Sequence, residues 1–296
     1  MSESEECVEC GGTVAPDGHC WDCGAAQPGF RAHVEITAEG GAAGVSDRGR
    51  RRGVNADAMA LATTGPWTVG VVCDGVSMSP RAERAARVAA DVGLDCLARQ
   101  LSSGAIPEVA LVGAAVRAHR AVAALAKSAA TTAQSAGAAA KSAGATAERP
   151  DVTAAVAPAC TYVAGVAGPD GIWSASVGDS RAYWLPDEGP GAALTEDDTG
   201  DLDALTAWLG ADADEPVPQV RSYLPPCSGR LLLCTDGLWR YLPDAEGLRA
   251  VVRRARAGGG GPTAEARALV GYALEAGGQD NVTALLLPVA SSVPPG

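Results

Sequence analysis

Several aspartates stand at the ends of apolar segments that read as β-strands. The stretch WTVGVVCDG at 67–75 places Asp74 at the tip of such a segment, and a helical pattern follows it rather than a second strand. An Asp-Gly pair between two apolar strands is typical of a β-hairpin. The helical pattern that follows Asp74 therefore argues against a hairpin here. Taken alone, the Asp-Gly pair is still typical of a turn. However, four other aspartates also lie at predicted strand ends, each beside a small or turn-forming residue: Asp57, Asp179, Asp236 and Asp280.

Carboxylates gathered in this way would form a site for divalent cations. Strand ends from distant parts of a sequence collect at one edge of a sheet sandwich, and five carboxylates held there would repel one another strongly. Each would be pushed towards protonation unless cations were present. Oxygen ligands suit Mg²⁺ or Mn²⁺ rather than zinc. Two such ions can share a water, lower its pKa and direct it at a phosphorus atom.

A phosphate bound at such a site needs a positive side chain to orient it. Arg52 lies five residues before Asp57, and an arginine can hold a phosphate through two parallel hydrogen bonds. Arg52 and the aspartates together therefore predict metal-dependent chemistry on a phosphate ester.

Four cysteines near the N-terminus have the spacing of a second, different metal site. Residues 7–24 read CVECGGTVAPDGHCWDCG, in which Cys7 and Cys10 form one Cys-x2-Cys pair and Cys20 and Cys23 the other, each followed by Gly. Two such pairs supply the four thiolates of a tetrahedral zinc site and leave no open position for catalysis. We predict a structural zinc ribbon, because so short a segment has too small a core to fold without metal. A redox pair or a chance clustering of cysteines is the alternative.

The composition limits the classes of partner. The chain has 296 residues and a formal charge of −12. A protein with this charge repels nucleic acids and anionic membranes instead of attracting them. We expect that no apolar run approaches the ~20 residues that span a bilayer. The acidic N-terminus MSESEECVEC also differs from a signal peptide. We therefore expect a cytoplasmic protein with no nucleic-acid or membrane partner.

The order of elements predicts a zinc ribbon followed by one large domain. We assign residues 1–27 to the ribbon, 28–31 to a linker and 32–290 to the domain, with a low-complexity insertion at about 128–150. Within the domain, pairs of strand-like segments are followed by helical stretches. This pattern predicts an α+β fold, a four-layer α/β/β/α sandwich in which two antiparallel sheets are flanked by helices.

A set of short motifs resembles the metal-dependent type 2C Ser/Thr protein phosphatases, in their bacterial form. In chain order these motifs are Arg-x-x-Asn-x-Asp at 52–57, VVCDG at 71–75, VGDSRAY at 177–183, LTEDDT at 194–199, LLLCTDGLW at 231–239 and QDNVT at 279–283. Each motif is weak alone, whereas the ordered set is specific. The resemblance implies a β-sandwich and the hydrolysis of phosphoserine and phosphothreonine in proteins that a cognate Ser/Thr kinase phosphorylates.

The resemblance also implies which residues hold the Mn²⁺ or Mg²⁺ ions. Asp74 would bridge two ions, and the carbonyl of Gly75 would join one of them. Asp236 and Asp280 would hold the other ion. Asp179 together with Asp236 would host a weaker third ion.

Arg52 would bind the phosphate, and Asp57 would act through water. The chain departs from the family at Ala56, where a Glu is usual, and in DGVSMS, where Val76 stands at a position that can carry a general-acid His. The leaving alkoxide would then take its proton from water or another group. An active phosphatase is therefore one hypothesis. The other is a catalytically silent, phosphatase-like module that binds a phosphoprotein and uses the ribbon for docking.

Overall fold

The structure is a computed structural model that describes residues 6–15, 18–142 and 157–290, without the side chains of 127–142. Two antiparallel sheets form its centre. The first sheet has six strands in the spatial order β1 (His33–Ala38), β2 (Ala42–Asp47), β13 (Val282–Val289), β12 (Gly229–Cys234), β8 (Arg181–Pro186) and β9 (Ala192–Ala193).

The second sheet has five strands and lies against the first. Its spatial order is β11 (Gln219–Tyr223), β7 (Gly171–Val177), β6 (Tyr162–Gly168), β4 (Trp67–Cys73) and β3 (Ala58–Thr64). A short separate ladder pairs β5 (Ala159–Cys160) with β10 (Leu209–Gly210).

Helices cover both outer faces of the sandwich. The helices are α1 (Ala82–Ser102), α2 (Pro107–Ser142), the one-turn α3 (Asp236–Trp239), α4 (Ala245–Ala257) and α5 (Pro262–Glu275). The pair α1 and α2 packs on the five-stranded sheet, and α4 and α5 pack on the six-stranded sheet. The predicted α/β/β/α order of layers is therefore confirmed.

The strands have apolar residues on both faces because both faces are covered. In β12, Leu231 and Leu233 point between the sheets, whereas Leu232 and Cys234 point towards α4 and α5. Successive side chains of a strand alternate between faces, so the run LLLC fills two cores at once. On the other side, the alanine-rich face of α1 is buried against the five-stranded sheet. Burying these side chains in three adjoining cores holds the layers together.

Helix α2 differs from the sequence-based expectation in two respects. It continues to Ser142, through the first part of the stretch we assigned to an insertion at about 128–150, and the end of that stretch lies outside the described residues. Its segment Pro107–Ala126 is also long and apolar enough to cross a membrane by length and composition alone. The expectation that no apolar run approaches that length is therefore wrong. The buried residues of this segment pack in the core with α1 and the sheet.

A buried carboxylate joins three elements of the outer layer on the six-stranded sheet. Glu265 of α5 is 1% exposed and accepts hydrogen bonds from Arg230 of β12 (Nε, 3.0 Å) and Arg256 of α4 (Nε, 2.8 Å). Arg256 also contacts Asp187 through Nη1. A buried carboxylate is tolerated here because two guanidinium groups neutralise it.

Replacing Glu265 with Gln is expected to destabilise the fold by about 3 kcal/mol, because the partly buried Arg230 would lose its counter-charge, whereas Arg256 would keep its contact with Asp187. The measurement is the free energy of unfolding in denaturant. Glu215→Gln is the matched control, since Glu215 forms an exposed pair with Arg120 and such pairs contribute about 0–1 kcal/mol. Equal losses in the two variants would contradict the structural role given to Glu265.

Candidate metal centre

The five aspartates lie at strand ends that the sheet register brings side by side. In the five-stranded sheet, Asp57 precedes β3 and Asp74 follows β4, and their neighbours Ala58 and Cys73 are paired across the ladder. The other three belong to the six-stranded sheet, where Cys234 is paired with both Arg181 and Ala284. This register aligns the segments that carry Asp179, Asp236 and Asp280.

The electrostatics of Asp74 show that the two sheet edges meet. Burial raises the pKa of Asp74 well above its usual value, and the negative charges of Asp57, Asp236, Asp179 and Asp280 raise it further. Four other carboxylates are thus close enough to Asp74 to disfavour its charge. The strand-end aspartates therefore interact electrostatically, and their arrangement as ligands of shared ions stays a prediction, since among the described residues only the four N-terminal cysteines have ligand atoms all within 4.8 Å of one another.

Asp57 is the most enclosed carboxylate of the group. Burial raises its pKa to about 7, and the charges of Asp236 and Asp280 act in the same direction. Its Oδ2 accepts hydrogen bonds from the hydroxyls of Thr235 (2.8 Å) and Thr283 (2.7 Å), which oppose the shift. These two threonines belong to the motifs that supply Asp236 and Asp280, so they fix Asp57 to the same centre.

Buried oxygen atoms without partners indicate where an ion, or a water bound to one, would fit. Among the described residues, Oδ1 of Asp57 and Oδ1 of Asp236 are buried and accept no hydrogen bond. Burying a carboxylate oxygen without a donor is costly, and a divalent ion removes that cost. The donor set is made of oxygen atoms alone, which fits Mn²⁺ or Mg²⁺. The roles that the family resemblance implies for Asp57, Asp74, Gly75, Asp179, Asp236 and Asp280 remain predictions.

Two arginines bind the outer carboxylates of the cluster. Arg52, the predicted phosphate ligand, donates to Asp280 through Nε (2.6 Å) and Nη2 (2.5 Å). Arg240 donates through Nε to Oδ2 of Asp236 (2.8 Å). Both arginines line one open pocket of about 490 Å³ together with Asp236 and Asp280. Arg240 was not identified from the sequence, because no motif marks it.

Asn281 was also missed, although it directly follows Asp280. Its Oδ1 accepts from the amide of Ala56 (2.9 Å), and its Nδ2 donates to the carbonyls of Arg48 (2.7 Å) and Val54 (3.0 Å). One side chain thereby ties the loop that carries Arg52 and Asp57 to the start of β13. The sequence feature that could have identified Asn281 is its position in the motif QDNVT, directly after Asp280.

The backbone of α3 lies close to the backbone at the start of β13, and this contact brings Asp236 and Asp280 near each other. The Gly after Asp236 lies so near β13 that a Cβ on Gly237 would overlap the carbonyl oxygen of Asn281. Glycine is required here for lack of space rather than for an unusual backbone angle. The short helix α3 can therefore begin directly beside the strand that follows Asp280.

The acidic stretch at 194–199 stabilises the turn that carries Asp179. Asp197 receives hydrogen bonds from Arg181 at Nε (2.9 Å) and Nη2 (2.7 Å). Asp198 accepts from the amide of Gly178 (3.0 Å) and from Nε2 of Gln219 (2.6 Å). The motif LTEDDT thus contributes structural contacts to the residues around Asp179.

The four N-terminal cysteines form a compact cluster. Their Sγ atoms all lie within 4.8 Å of one another, with Cys7 3.7 Å from Cys23 and Cys10 3.5 Å from Cys20. Sulfur atoms at ~2.3 Å from a tetrahedral zinc would be about 3.8 Å apart. Although burial opposes it, hydrogen bonds from backbone amides and from Gln27 lower the pKa of Cys7 to about 6. The cluster therefore fits a zinc ribbon.

The ribbon is attached to the first turn of α1. His19, next to a ribbon cysteine, is buried, and its Nε2 lies 2.8 Å from Oε1 of Glu83. The guanidinium of Arg87, one turn later in α1, lies 5.0 Å from the ring centroid of Phe30. His19 is therefore an interface residue, although its position beside Cys20 in the sequence suggests only a solvated neighbour.

A sequence model described as protein phosphatase 2C matches residues 47–266. The chain therefore belongs to the protein phosphatase 2C family. A comparison with curated proteins gives no match.

Solved structures with the same fold include bacterial phosphatases. The S. agalactiae serine/threonine phosphatase is 19% identical, with a TM-score of 0.61 over 83% of this chain and 97% of that one. The Mycobacterium tuberculosis serine/threonine phosphatase PstP/Ppp is 23% identical, with a TM-score of 0.59 over 84% and 98%. The catalytic domain of PstP in complex with two manganese ions is 23% identical, with a TM-score of 0.60 over 87% and 99%.

Replacing Gly237 with Ala is expected to force α3 away from β13, because the new methyl group would overlap the Asn281 carbonyl. We expect a loss of about 1–3 kcal/mol in unfolding free energy and weaker binding of Mn²⁺ at the aspartate cluster, measured by calorimetry. Gly271→Ala is the control, since it lies in α5 with open space around it and should stabilise by about 0.5–1 kcal/mol. Unchanged Mn²⁺ affinity in Gly237→Ala would show that this approach does not position Asp236.

Proposed function

We propose that the protein is an Mn²⁺- or Mg²⁺-dependent phosphatase that hydrolyses phosphoserine and phosphothreonine in proteins. The observation that carries the proposal is the meeting of five strand-end carboxylates beside Arg52, with unpartnered buried oxygens on Asp57 and Asp236. Membership of the protein phosphatase 2C family supports the reaction class. The catalytic domain of PstP, which has the same fold, forms a complex with two manganese ions, and this supports the choice of metal.

The ions would be held by Asp74, the carbonyl of Gly75, Asp236 and Asp280. When bound, they would lower the pKa of a shared water and neutralise charge on the phosphoryl oxygens. Asp57 is positioned by two threonine hydroxyls that occupy its Oδ2. Its Oδ1 has no partner among the described residues and can accept a hydrogen bond from water.

Arg52 would orient the phosphate of the substrate. Its side chain is 39% exposed, lines the open pocket and uses Nε and Nη2 for Asp280. The remaining Nη1 group can donate to a phosphoryl oxygen, and the side chain can also turn from Asp280 towards the substrate. Val76 offers no proton at the position after Gly75, so the leaving serine or threonine oxygen would be protonated by water.

The residues that line the pocket support an ionic substrate group such as a phosphorylated side chain. Charged and polar residues predominate among them, including Arg52, Asp236, Arg240, Gln279 and Asp280, so the pocket does not suit an apolar ligand. The proposed partners are phosphoproteins and the Ser/Thr kinase that produces them, and the formal charge of −12 opposes binding to nucleic acids and to anionic membranes. We propose the cytoplasm as the location.

We further propose that the cysteine cluster binds one structural Zn²⁺. The four thiols leave no open coordination position, and amide donors to the sulfurs of Cys7 (Glu9 N, 3.4 Å) and Cys20 (Asp22 N, 3.3 Å) stabilise thiolates. Zinc would hold the ribbon folded, and the ribbon would in turn keep its contact with α1.

Asp74→Asn is expected to lower the hydrolysis of a phosphopeptide in the presence of Mn²⁺ by at least about 100-fold. Metal-ion catalysis contributes several kcal/mol, and about 1.4 kcal/mol corresponds to a factor of ten in rate. Asp95→Asn is the control, because Asp95 is exposed on α1 and pairs with Arg99 along the helix. Removing the metal with a chelator should reduce wild-type activity to the same level.

The alternative is a catalytically silent module that binds phosphoproteins. Ala56, in place of the usual Glu, and Val76 favour it. It would be supported if the wild-type protein hydrolyses no phosphopeptide or aryl phosphate and calorimetry detects one Mn²⁺ or none at the cluster. Wild-type turnover that ignores both the chelator and Asp74→Asn would exclude the proposed mechanism.

Cys10→Ser is expected to abolish the zinc content, which elemental analysis should find to be about one ion per wild-type chain. The large domain should keep its circular dichroism, because its cores do not include the ribbon. Cys227→Ser is the control, since this partly exposed thiol lies outside the cluster. Zinc retained at full stoichiometry in Cys10→Ser would contradict the four-cysteine site.

A further inference from the structure

Gly75 is enclosed by the backbone of two other segments. A Cβ on Gly75 would lie 2.7 Å from the carbonyl oxygen of Ala82, at the start of α1, and 2.9 Å from that of Ala56. The amide of Gly75 also donates to the carbonyl of Ala56 at 3.2 Å. Gly75 therefore fits closely between the first turn of α1 and the loop that carries Arg52 and Asp57.

The ribbon and its linker contact the first of these segments, the start of α1. Nε2 of His19 lies 2.8 Å from Oε1 of Glu83, the residue after Ala82, and the two side chains are only 11% and 13% exposed. One turn later, the guanidinium of Arg87 lies 5.0 Å from the ring centroid of the linker residue Phe30. A hydrogen bond between buried groups is stronger than one in water. The ribbon therefore restrains the first turn of α1.

The linker contacts the second segment through a buried asparagine. Nδ2 of Asn55 donates to the carbonyl of Arg31 at 3.2 Å, and its Oδ1 accepts from the amide of Asp57 at 3.2 Å. Asn55 is 7% exposed. In addition, Nη1 of Arg48 donates to the carbonyl of Pro28 at 3.2 Å. The backbone of the linker is therefore bound to the loop that carries the predicted phosphate ligand.

The linker is also fixed to the cysteine cluster. A Cβ on Gly18 would overlap the ring of Phe30, and the carbonyl of Gly18 accepts from the amide of Gln27 at 2.9 Å. Nε2 of Gln27 in turn donates to Sγ of Cys7 at 3.3 Å. The contacts with α1 and with the Asn55 loop therefore come from one connected unit.

We propose that the ribbon and its linker hold α1 and the Asn55 loop against Gly75, with His19 as a positioning residue, and that this contact raises the affinity of the aspartate cluster for Mn²⁺. The inference rests on the proposed function, because it assumes that the carbonyl of Gly75 holds one of the ions. Replacing side chains that only orient metal ligands lowers metal affinity by about 10–100-fold. His19 acts through α1, so an effect of about 10-fold is expected.

The test measures Mn²⁺ affinity by calorimetry on the full, zinc-loaded chain, with Asp74→Asn as the background. His19→Ala and Glu83→Ala are each expected to weaken binding by about 10-fold. The double variant should weaken it no further, because both changes remove the same contact. His19→Gln should recover most of the affinity, since its amide can still donate to Glu83. Phosphopeptide turnover by His19→Ala should be low at limiting Mn²⁺ and equal to wild type at saturating Mn²⁺.

Glu215→Ala is the matched control, because it also removes a contact between distant segments, the pair with Arg120, and should leave Mn²⁺ affinity unchanged. Elemental analysis and circular dichroism confirm zinc content and folding. Where His19→Ala or Glu83→Ala fails to fold or to keep zinc, the other decides.

Unchanged Mn²⁺ affinity in a folded, zinc-loaded variant of either residue, or additive losses in the double variant, would overturn the inference and leave the proposed function intact. No Mn²⁺ binding above background in the wild type would overturn the proposed function as well. Weakened binding in the variants of a wild-type protein that hydrolyses no phosphopeptide would support the inference and contradict only the proposed activity.

Discussion

The central constraint on this molecule is the crowding of negative charge where the ends of the two sheets meet. Five carboxylates lie at this edge, and Asp74 is destabilised in its charged form by burial and by all four of the others. Such an arrangement opposes folding unless cations, hydrogen-bond donors or protons neutralise it. The divalent ions of the proposed function would offset this cost.

Hydroxyl and guanidinium groups of the protein reduce this cost for some of the five carboxylates. Threonine hydroxyls stabilise one oxygen of Asp57, and Arg52 and Arg240 neutralise Asp280 and Asp236 from the pocket side. Two buried carboxylate oxygens keep no partner among the described residues. These donors engage some of the carboxylate oxygens, and the two that they leave unpaired are available to the divalent ions of the proposed function.

The ribbon is linked to the same region through α1. This helix begins shortly after the loop that carries Asp74 and Gly75, and its first turn holds Glu83, the partner of His19. The amide of Asp74 is in turn bound to the hydroxyl of Thr161 at 3.0 Å, which links the loop to the start of β6. The loop that carries Asp74 and Gly75 thus lies between a helix that contacts the ribbon and a strand of the central sheet.

The sequence by itself determined the features that depend on local spacing. The sequence was sufficient to predict the two Cys-x2-Cys pairs, the apolar strands that end in Asp and the layered α+β class. These features depend on the spacing of cysteines and on the periodicity of strands, which both extend over only a few residues. The tertiary structure alone decided which charges meet. Arg52 and Asp280 are 228 positions apart, and their pairing follows from no local pattern. The same is true of the pairing of Asp197 with Arg181. These contacts depend on how distant strand ends align across two sheets, and that alignment is set by packing of the whole core.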